Sequence, residues 1–197
     1  MDTHGELNIN RSKRVSIIAM MTALALVGNY TLVMIPNVEL GSSILFVTSY
    51  IFGFSIGASC AVIMAIVFGS INPWGIPIPE ILITQILGWL YIVAAGSLMG
   101  TNQKLSKTTH VDVLRLGAAG VFLTLFFELL TNFGYAIAFG LPYWVTILTG
   151  IPFTVVHVVS NAIIFAAATP RLDNIIKTQF ESYIWETSVE VGLLSEE

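Results

Sequence analysis

The sequence has little charge and almost no cysteine. Only 10% of its 197 residues are charged, and 55% are hydrophobic. Soluble domains usually carry about 25% charged residues, so this composition excludes an ordinary soluble protein and predicts an integral membrane protein. The single cysteine, Cys60, excludes an intramolecular disulfide, and we interpret it as a small packing residue within an apolar run.

Positive charge is absent from most of the chain. The eight Lys and Arg residues all fall within 11–14, 104–115 and 171–177. The positive-inside rule places these three basic segments in the cytoplasm. Both termini are therefore predicted to be cytoplasmic, and the chain must cross the membrane an even number of times between Arg14 and Lys104.

The apolar runs predict an all-α membrane protein, a bundle of six transmembrane helices. A span needs roughly 20 apolar residues. The uncharged run 41–70 is too long for one span, but it suits two short spans that are broken near Gly53 and Gly57. A re-entrant hairpin over the same residues is the alternative. The predicted spans are 15–35, two short spans within 41–70, 81–100, 116–139 and 146–168.

These spans divide the chain into three parts. Residues 1–14 are predicted to be a cytoplasmic N-terminus, and residues 15–169 the six-helix transmembrane domain. Pro170, followed by Arg171, is expected to close the last span. Residues 170–197 then form a cytoplasmic tail that starts as an amphipathic helix, with apolar residues at helical spacing, and ends in acidic residues.

One apolar run carries a carboxylate near its middle. Glu128 is followed by Asn132 and Tyr135, and the spacing i, i+4, i+7 puts all three on one face of a helix. A carboxylate in hydrocarbon is costly, so this face is predicted to line a protein interior or a polar cavity.

Two other spans carry similar pairs of residues. Gln85 and Trp89 share one helix face, and His157 and Asn161 share another. Polar and aromatic side chains that converge in an apolar bundle predict a cavity for a small polar molecule. Each residue also has a structural interpretation, because Asn and Gln often join membrane helices through hydrogen bonds. Glu128 and His157 alternatively form a buried pair.

Residues outside the spans are assigned from their place in the loops. Asn72 and Trp74 are predicted to approach the cavity, although an aromatic belt at the membrane interface also accounts for Trp74. Glu39 and Glu80 are expected to be solvated, and contact of either residue with the ligand is the alternative.

Several catalytic and nucleotide-binding motifs are absent. The sequence has no phosphate-binding glycine-rich loop with its Lys, no His-Glu-x-x-His pair and no nucleophile elbow. We therefore expect neither ATP hydrolysis nor metal chemistry in this chain, and the spans offer no Lys or Arg to an anionic ligand. A small binding bundle that needs partners fits these absences best.

The chain resembles the substrate-binding (S) components of energy-coupling factor (ECF) vitamin transporters over about residues 12–172. The resemblance rests on the six spans, the basic start and three segments: Asn72-Pro-Trp-Gly75, Gln85-Ile-Leu-Gly-Trp89 and Val155-Val-His-Val-Val-Ser-Asn-Ala162. Ala19-x-x-x-Ala23 is similar to the alanine motif with which such proteins dock on their transmembrane coupling subunit.

This resemblance implies a plasma-membrane subunit without a cofactor and without a nucleic-acid partner. The subunit would capture a vitamin at the outer face and topple in the bilayer against the coupling subunit, driven by two ATPases that use ATP. The ligand would lie between spans 4 to 6 and the loop that contains Asn37, and the branch of the family favours cobalamin. The alternatives are an intramembrane enzyme that uses Glu128 and His157 on a lipid-like substrate, and a structural membrane subunit without a ligand.

Overall fold

The computed structural model describes residues 10–73, 75–105 and 113–185, which form six α-helices and no strands. The helices are α1 (Arg11–Leu32), α2 (Gly41–Phe52), α3 (Phe54–Ser70), α4 (Pro79–Leu105), α5 (Val113–Phe139) and α6 (Tyr143–Trp185). Helices α1, α4, α5 and α6 are long and apolar enough to cross a membrane, whereas α2 and α3 have only 12 and 17 residues. The predicted all-α fold with two short helices is confirmed for the described residues.

Successive helices run in opposite directions through the bundle. The first turns of α1 and α3 lie together, because Arg14 donates a hydrogen bond to Ser55. The far ends of the same helices also meet, since the Tyr30 hydroxyl donates a hydrogen bond of 2.9 Å to the carbonyl oxygen of Ile71. The α1–α2, α3–α4 and α5–α6 connections therefore share the end of the bundle that lies opposite Arg14.

Helix α2 is the centre of the bundle. All 12 of its residues are buried, and it packs against α1, α3, α4 and α6. At 1.5 Å per residue it extends only about 18 Å, which is short of the roughly 30 Å of hydrocarbon in a bilayer. Gly96 and Gly100 of α4 allow the close approach of α2, because a Cβ atom at these positions would collide with the carbonyl oxygens of Phe46 and Tyr50.

Gly53 separates α2 from α3. Its φ of 86° lies in the left-handed region, where glycine avoids the strain that a side chain would cause. The chain can therefore leave α2 and start α3 with a single intervening residue. The predicted break lies at this position, whereas Gly57 is inside α3 and packs against Ser49.

Helix α6 does not end at Pro170, so this proline does not terminate the helix, and the end of the last span near it stays a prediction. The helix continues to Trp185, so the predicted amphipathic tail helix is its extension. A proline inside a helix costs about 3 kcal/mol, but Leu172 and Ile176 pack against the core beyond it and help to offset that cost. The predicted N-terminal segment and the acidic end of the tail lie largely outside the described residues.

Candidate functional site

A cavity of about 700 Å³ lies at the end of the bundle where the α1–α2, α3–α4 and α5–α6 connections meet. This volume is within the range of about 300–1,000 Å³ that is typical of small-molecule sites. The wall combines aromatic rings, side-chain amides and two carboxylates. These side chains are Phe68, Trp89, Phe127, Tyr135, Phe139, Phe153, Asn29, Asn37, Asn72, Gln85, Asn132, Glu39 and Glu128.

Glu128 is the point at which three parts of the chain meet. Its Oε1 atom lies 2.6 Å from Nδ1 of His157 and accepts a longer hydrogen bond, 3.4 Å, from the side-chain amide of Asn37. Its Oε2 atom accepts a hydrogen bond of 3.1 Å from the hydroxyl of Thr154. The carboxylate therefore ties α5 to α6 and to the α1–α2 loop (residues 33–40), and both of its oxygen atoms are occupied.

His157 lies between two carboxylates. Its Nε2 atom is 3.6 Å from Oε1 of Glu39, a distance that suits an ion pair but is too long for a good hydrogen bond. The same oxygen of Glu39 accepts a hydrogen bond from the Ser42 hydroxyl in the first turn of α2. Burial, the largest effect, raises the pKa of Glu39, but interactions with His157 and then Ser42 bring this pKa below its ordinary value of 4.5. We call Glu39, His157 and Glu128 the acid–imidazole cluster.

The α1–α2 loop is held against the cavity by Asn37. This residue has a φ of 59°, in the left-handed region that asparagine tolerates better than most residues. Its side chain reaches Glu128, while its carbonyl oxygen accepts a hydrogen bond of 3.2 Å from the Ser160 hydroxyl. The loop is thereby anchored to both α5 and α6.

Asn132 supports the cavity wall one turn after Glu128. Its side-chain amide donates a hydrogen bond of 2.8 Å to the carbonyl oxygen of Glu128. Its backbone carbonyl oxygen accepts a hydrogen bond of 3.0 Å from the hydroxyl of Thr146 on α6. Gly150 faces the Asn132 amide and leaves room for it, because a Cβ atom there would lie 2.9 Å from Oδ1.

Aromatic rings form the wall beside the acid–imidazole cluster. The rings of Trp89 and Phe127 have centroids 5.4 Å apart, and Phe127 meets His157 edge-on at 5.8 Å. Trp89 is buried, and its Nε1 atom donates a hydrogen bond of 3.2 Å to Ser42. Rings that are fixed in this way are suited to stacking against a planar ligand.

Most of the predicted substrate-binding residues come together in this cavity. The residues in its lining are Asn37, Asn72, Gln85, Trp89, Glu128, Asn132, Tyr135 and His157. Trp74 lies outside the described residues. Asn161 is not in the lining: its side-chain amide donates a hydrogen bond of 2.9 Å to the hydroxyl of Thr124. Asn161 lies one helical turn beyond His157, where it is almost completely buried between α5 and α6.

Glu39 lines the cavity, which was only the alternative interpretation of this residue. The expectation that it is solvated is wrong, because its side chain is 15% exposed and faces His157. Glu80, by contrast, is exposed as expected. The only sequence signal for Glu39 is its position three residues before Ser42, where a carboxylate can interact with the start of a helix. Asn29 also lines the cavity, and it has no signal beyond being a polar residue in a span.

Ala19 and Ala23 lie on the exposed side of α1. The neighbouring residues Ile17 and Met21 face the core and are almost completely buried. Small residues on an exposed helix face allow another helix to approach closely. Their use as a docking surface for a coupling subunit stays a prediction.

A family model described as "ECF-type riboflavin transporter, S component" matches residues 9–173. The match covers most of the chain and includes every residue in the cavity lining. Comparisons with curated proteins and with solved structures found no match. The resemblance to ECF S components is therefore confirmed. The chain belongs to the ECF-type riboflavin transporter S component family, whose members are substrate-binding subunits of ECF transporters.

Proposed function

We propose that this chain binds riboflavin, or a closely related flavin, for an ECF-type importer. The observation that carries the proposal is the cavity of about 700 Å³, whose described lining combines six aromatic rings with five side-chain amides and contains no Lys or Arg. The description of the matching family names the same vitamin.

The chemistry of a flavin suits these side chains. Its planar tricyclic ring has apolar faces, for which aromatic side chains such as Trp89 and Phe153 supply stacking partners. Its ring edge and its hydroxylated chain contain both donors and acceptors, which side-chain amides such as Gln85 and Asn132 can satisfy. Riboflavin is uncharged, so it needs no cationic partner.

The resemblance of individual segments favours cobalamin as the ligand. The family match does not support this choice. The matching family is named for riboflavin. A corrinoid is also far larger than a flavin, and the cavity volume of about 700 Å³ is that of a site for an ordinary small molecule. We therefore propose a flavin in its place.

The enzymatic alternative depends on Glu128 and His157, and these side chains are indeed in contact at 2.6 Å. Asn37 and Thr154 donate to the same carboxylate, so it has little remaining capacity to exchange a proton with a substrate. In addition, the described cavity lining contains no Ser, Cys or Lys that would serve as a nucleophile. Binding without catalysis is the function that we favour.

We further propose that the six helices lie in the plasma membrane with the cavity at the outer face and both termini in the cytoplasm. The support is the position of three arginines on the side of the bundle remote from the cavity. Arg14 and Arg115 lie in the first turns of α1 and α5, and Arg171 lies in the second half of α6, beyond the cavity residue His157. Delivery of the vitamin then requires a transmembrane coupling subunit and two ATPases. The bundle would topple against the coupling subunit, and the ATPases would hydrolyse the ATP.

Identification of the bound molecule tests this proposal first. The full chain is purified in detergent, any small molecule is released by denaturation, and the extract is analysed by mass spectrometry. Riboflavin, thiamine, biotin and cobalamin are then titrated onto the empty protein, and flavin binding is followed by quenching of flavin fluorescence. We expect saturable binding of one riboflavin per chain and none of the other three vitamins.

A matched pair of phenylalanine variants links binding to the cavity. Phe153 lines the cavity, whereas Phe122 is exposed on α5 outside it. Phe153→Ala should weaken riboflavin binding by about 10-fold, equivalent to about 1.4 kcal/mol, and Phe122→Ala should bind like the wild type. Stoichiometric binding of a different vitamin, or no binding of riboflavin, would contradict the proposed function.

A further inference from the structure

The two carboxylates of the acid–imidazole cluster differ in which of their oxygen atoms contact other side chains. Glu128 has partners on both oxygen atoms. In Glu39, the contacts with Ser42 and His157 are both made by Oε1. The Trp89 side chain, whose Nε1 atom donates to Ser42, also interacts with the Glu39 carboxylate. Glu39 lines the cavity and its side chain is 15% exposed, so its carboxylate borders the space that a ligand would occupy.

The cavity contains more negative than positive groups. Two carboxylates flank a single imidazole, so the cluster holds more acidic than basic groups. Tyr135 is the one further titratable residue in the described lining. The sequence has no Lys or Arg from residue 15 to 103 or from 116 to 170. No Lys or Arg side chain from these stretches can therefore pair with an anion in the cavity.

The nearest helix start does not provide an alternative anion site. The N-terminus of α2 would attract a negative group through its unpaired backbone N–H groups. The backbone N–H of Gly41 already donates a hydrogen bond of 2.7 Å to Oδ1 of Asn29. The Ser42 side chain is engaged with Glu39, so a carboxylate already lies beside the first turn of α2 and would repel a bound anion.

We propose that Glu39 is the selectivity residue of the cavity: it accepts a hydrogen bond from a donor group of the uncharged vitamin and repels the phosphate ester of that vitamin. This inference rests on the proposed function and deepens it. A carboxylate makes strong charge-assisted hydrogen bonds with N–H and O–H donors, and a flavin has both. A phosphate ester adds up to about two negative charges at neutral pH, and charges of one sign repel more strongly in a partly desolvated cavity than in water.

Equilibrium binding of riboflavin and of riboflavin 5′-phosphate to the full chain in detergent tests the inference. We expect the wild type to bind riboflavin at least about 10-fold more tightly than its phosphate, equivalent to about 1.4 kcal/mol. In Glu39→Gln, riboflavin affinity should fall by about 10-fold, because the charge-assisted acceptor is lost, and the ratio of the two affinities should approach one. Glu39→Asp keeps the carboxylate but shortens the side chain by one methylene group. This variant should therefore bind riboflavin more weakly and still exclude riboflavin 5′-phosphate.

Glu80→Gln is the matched control, because Glu80 is exposed and lies outside the cavity lining. This variant should bind both flavins like the wild type. Equal wild-type affinities for the two flavins would overturn the selectivity role while leaving the proposed function in place. An unchanged affinity ratio in a folded Glu39→Gln variant would overturn it as well. If the wild type binds neither flavin, the proposed function itself fails.

Discussion

The Nδ1 atom of His157 on α6 lies 2.6 Å from the Oε1 atom of Glu128 on α5. This contact crosses the largest helix–helix interface of the bundle. The same carboxylate receives the side chain of Asn37, so the pair also fixes the loop that covers one side of the cavity. The buried polar groups of this region therefore join the two helices and shape the site at the same time.

Loss of the Glu128 charge should weaken the whole region. In Glu128→Gln, one oxygen acceptor becomes an NH₂ donor, so the contacts of Glu128 with Asn37, Thr154 and His157 can no longer all be kept. We expect the free energy of unfolding to fall by about 2–4 kcal/mol, as for other buried charged hydrogen bonds, and riboflavin affinity to fall with it. Thermal unfolding in detergent measures the first effect, and flavin titration the second. Stability equal to that of Glu80→Gln would contradict this account of Glu128.

Asn161 should be required for stability and not for binding. Its side-chain amide is bonded to Thr124 at 2.9 Å, away from the cavity. Asn161→Ala should lower the free energy of unfolding by about 0.6–2 kcal/mol, the range for hydrogen bonds between membrane helices, and leave riboflavin affinity within about twofold of the wild type.

A double-mutant cycle with Thr124→Ala separates the pair from its surroundings. The two single variants and the double variant should lose nearly the same stability, because either change removes the same hydrogen bond. A large loss of riboflavin affinity in a stable Asn161→Ala variant would show that this residue contacts the ligand after all.

Gly53 should resist substitution because of its backbone conformation. Nothing lies within 4 Å of the position that a Cβ atom would take there, so steric collision with neighbours is not the obstacle. With a φ of 86°, Gly53→Ala places a side chain in the left-handed region at a cost of about 1–2 kcal/mol. Gly117→Ala in α5 is the control, since its Cβ would make ordinary contacts of 3.5 Å and 3.6 Å inside a helix. Thermal unfolding should therefore show a clear loss for Gly53→Ala and none for Gly117→Ala.

The alanines of α1 should matter for transport alone. Ala19 and Ala23 are exposed and contact neither the cavity nor the core. If a coupling subunit packs on this face, Ala19→Leu and Ala23→Leu should abolish riboflavin uptake into cells while the purified variants bind riboflavin normally. Ala118→Leu is the matched control, because Ala118 is exposed on α5. Normal uptake by both α1 variants would remove this face from the docking surface, and loss of binding would show that it supports the fold.

Much of the fold could be predicted from the sequence because membrane helices follow from composition. Long apolar runs must satisfy their backbone hydrogen bonds internally, which requires helices. The break between α2 and α3 was predictable near Gly53 because glycine tolerates backbone conformations that end a helix. Glu128, Asn132 and His157 were recognisable because a polar group in an apolar run needs a polar neighbour. Local chemistry was sufficient for each of these predictions.

Only the tertiary structure decided which polar residues meet. Glu39 lies in a short loop where a carboxylate is usually solvated, yet it is largely shielded from solvent beside His157 of a distant helix. Asn161 shares a helix face with His157, yet it packs on Thr124 because the cavity ends one turn earlier. Helix α6 continues past Pro170, and Ile176 beyond the proline packs in the hydrophobic core. In each case the deciding free energy comes from contacts between residues far apart in the chain, and a local pattern does not contain that information.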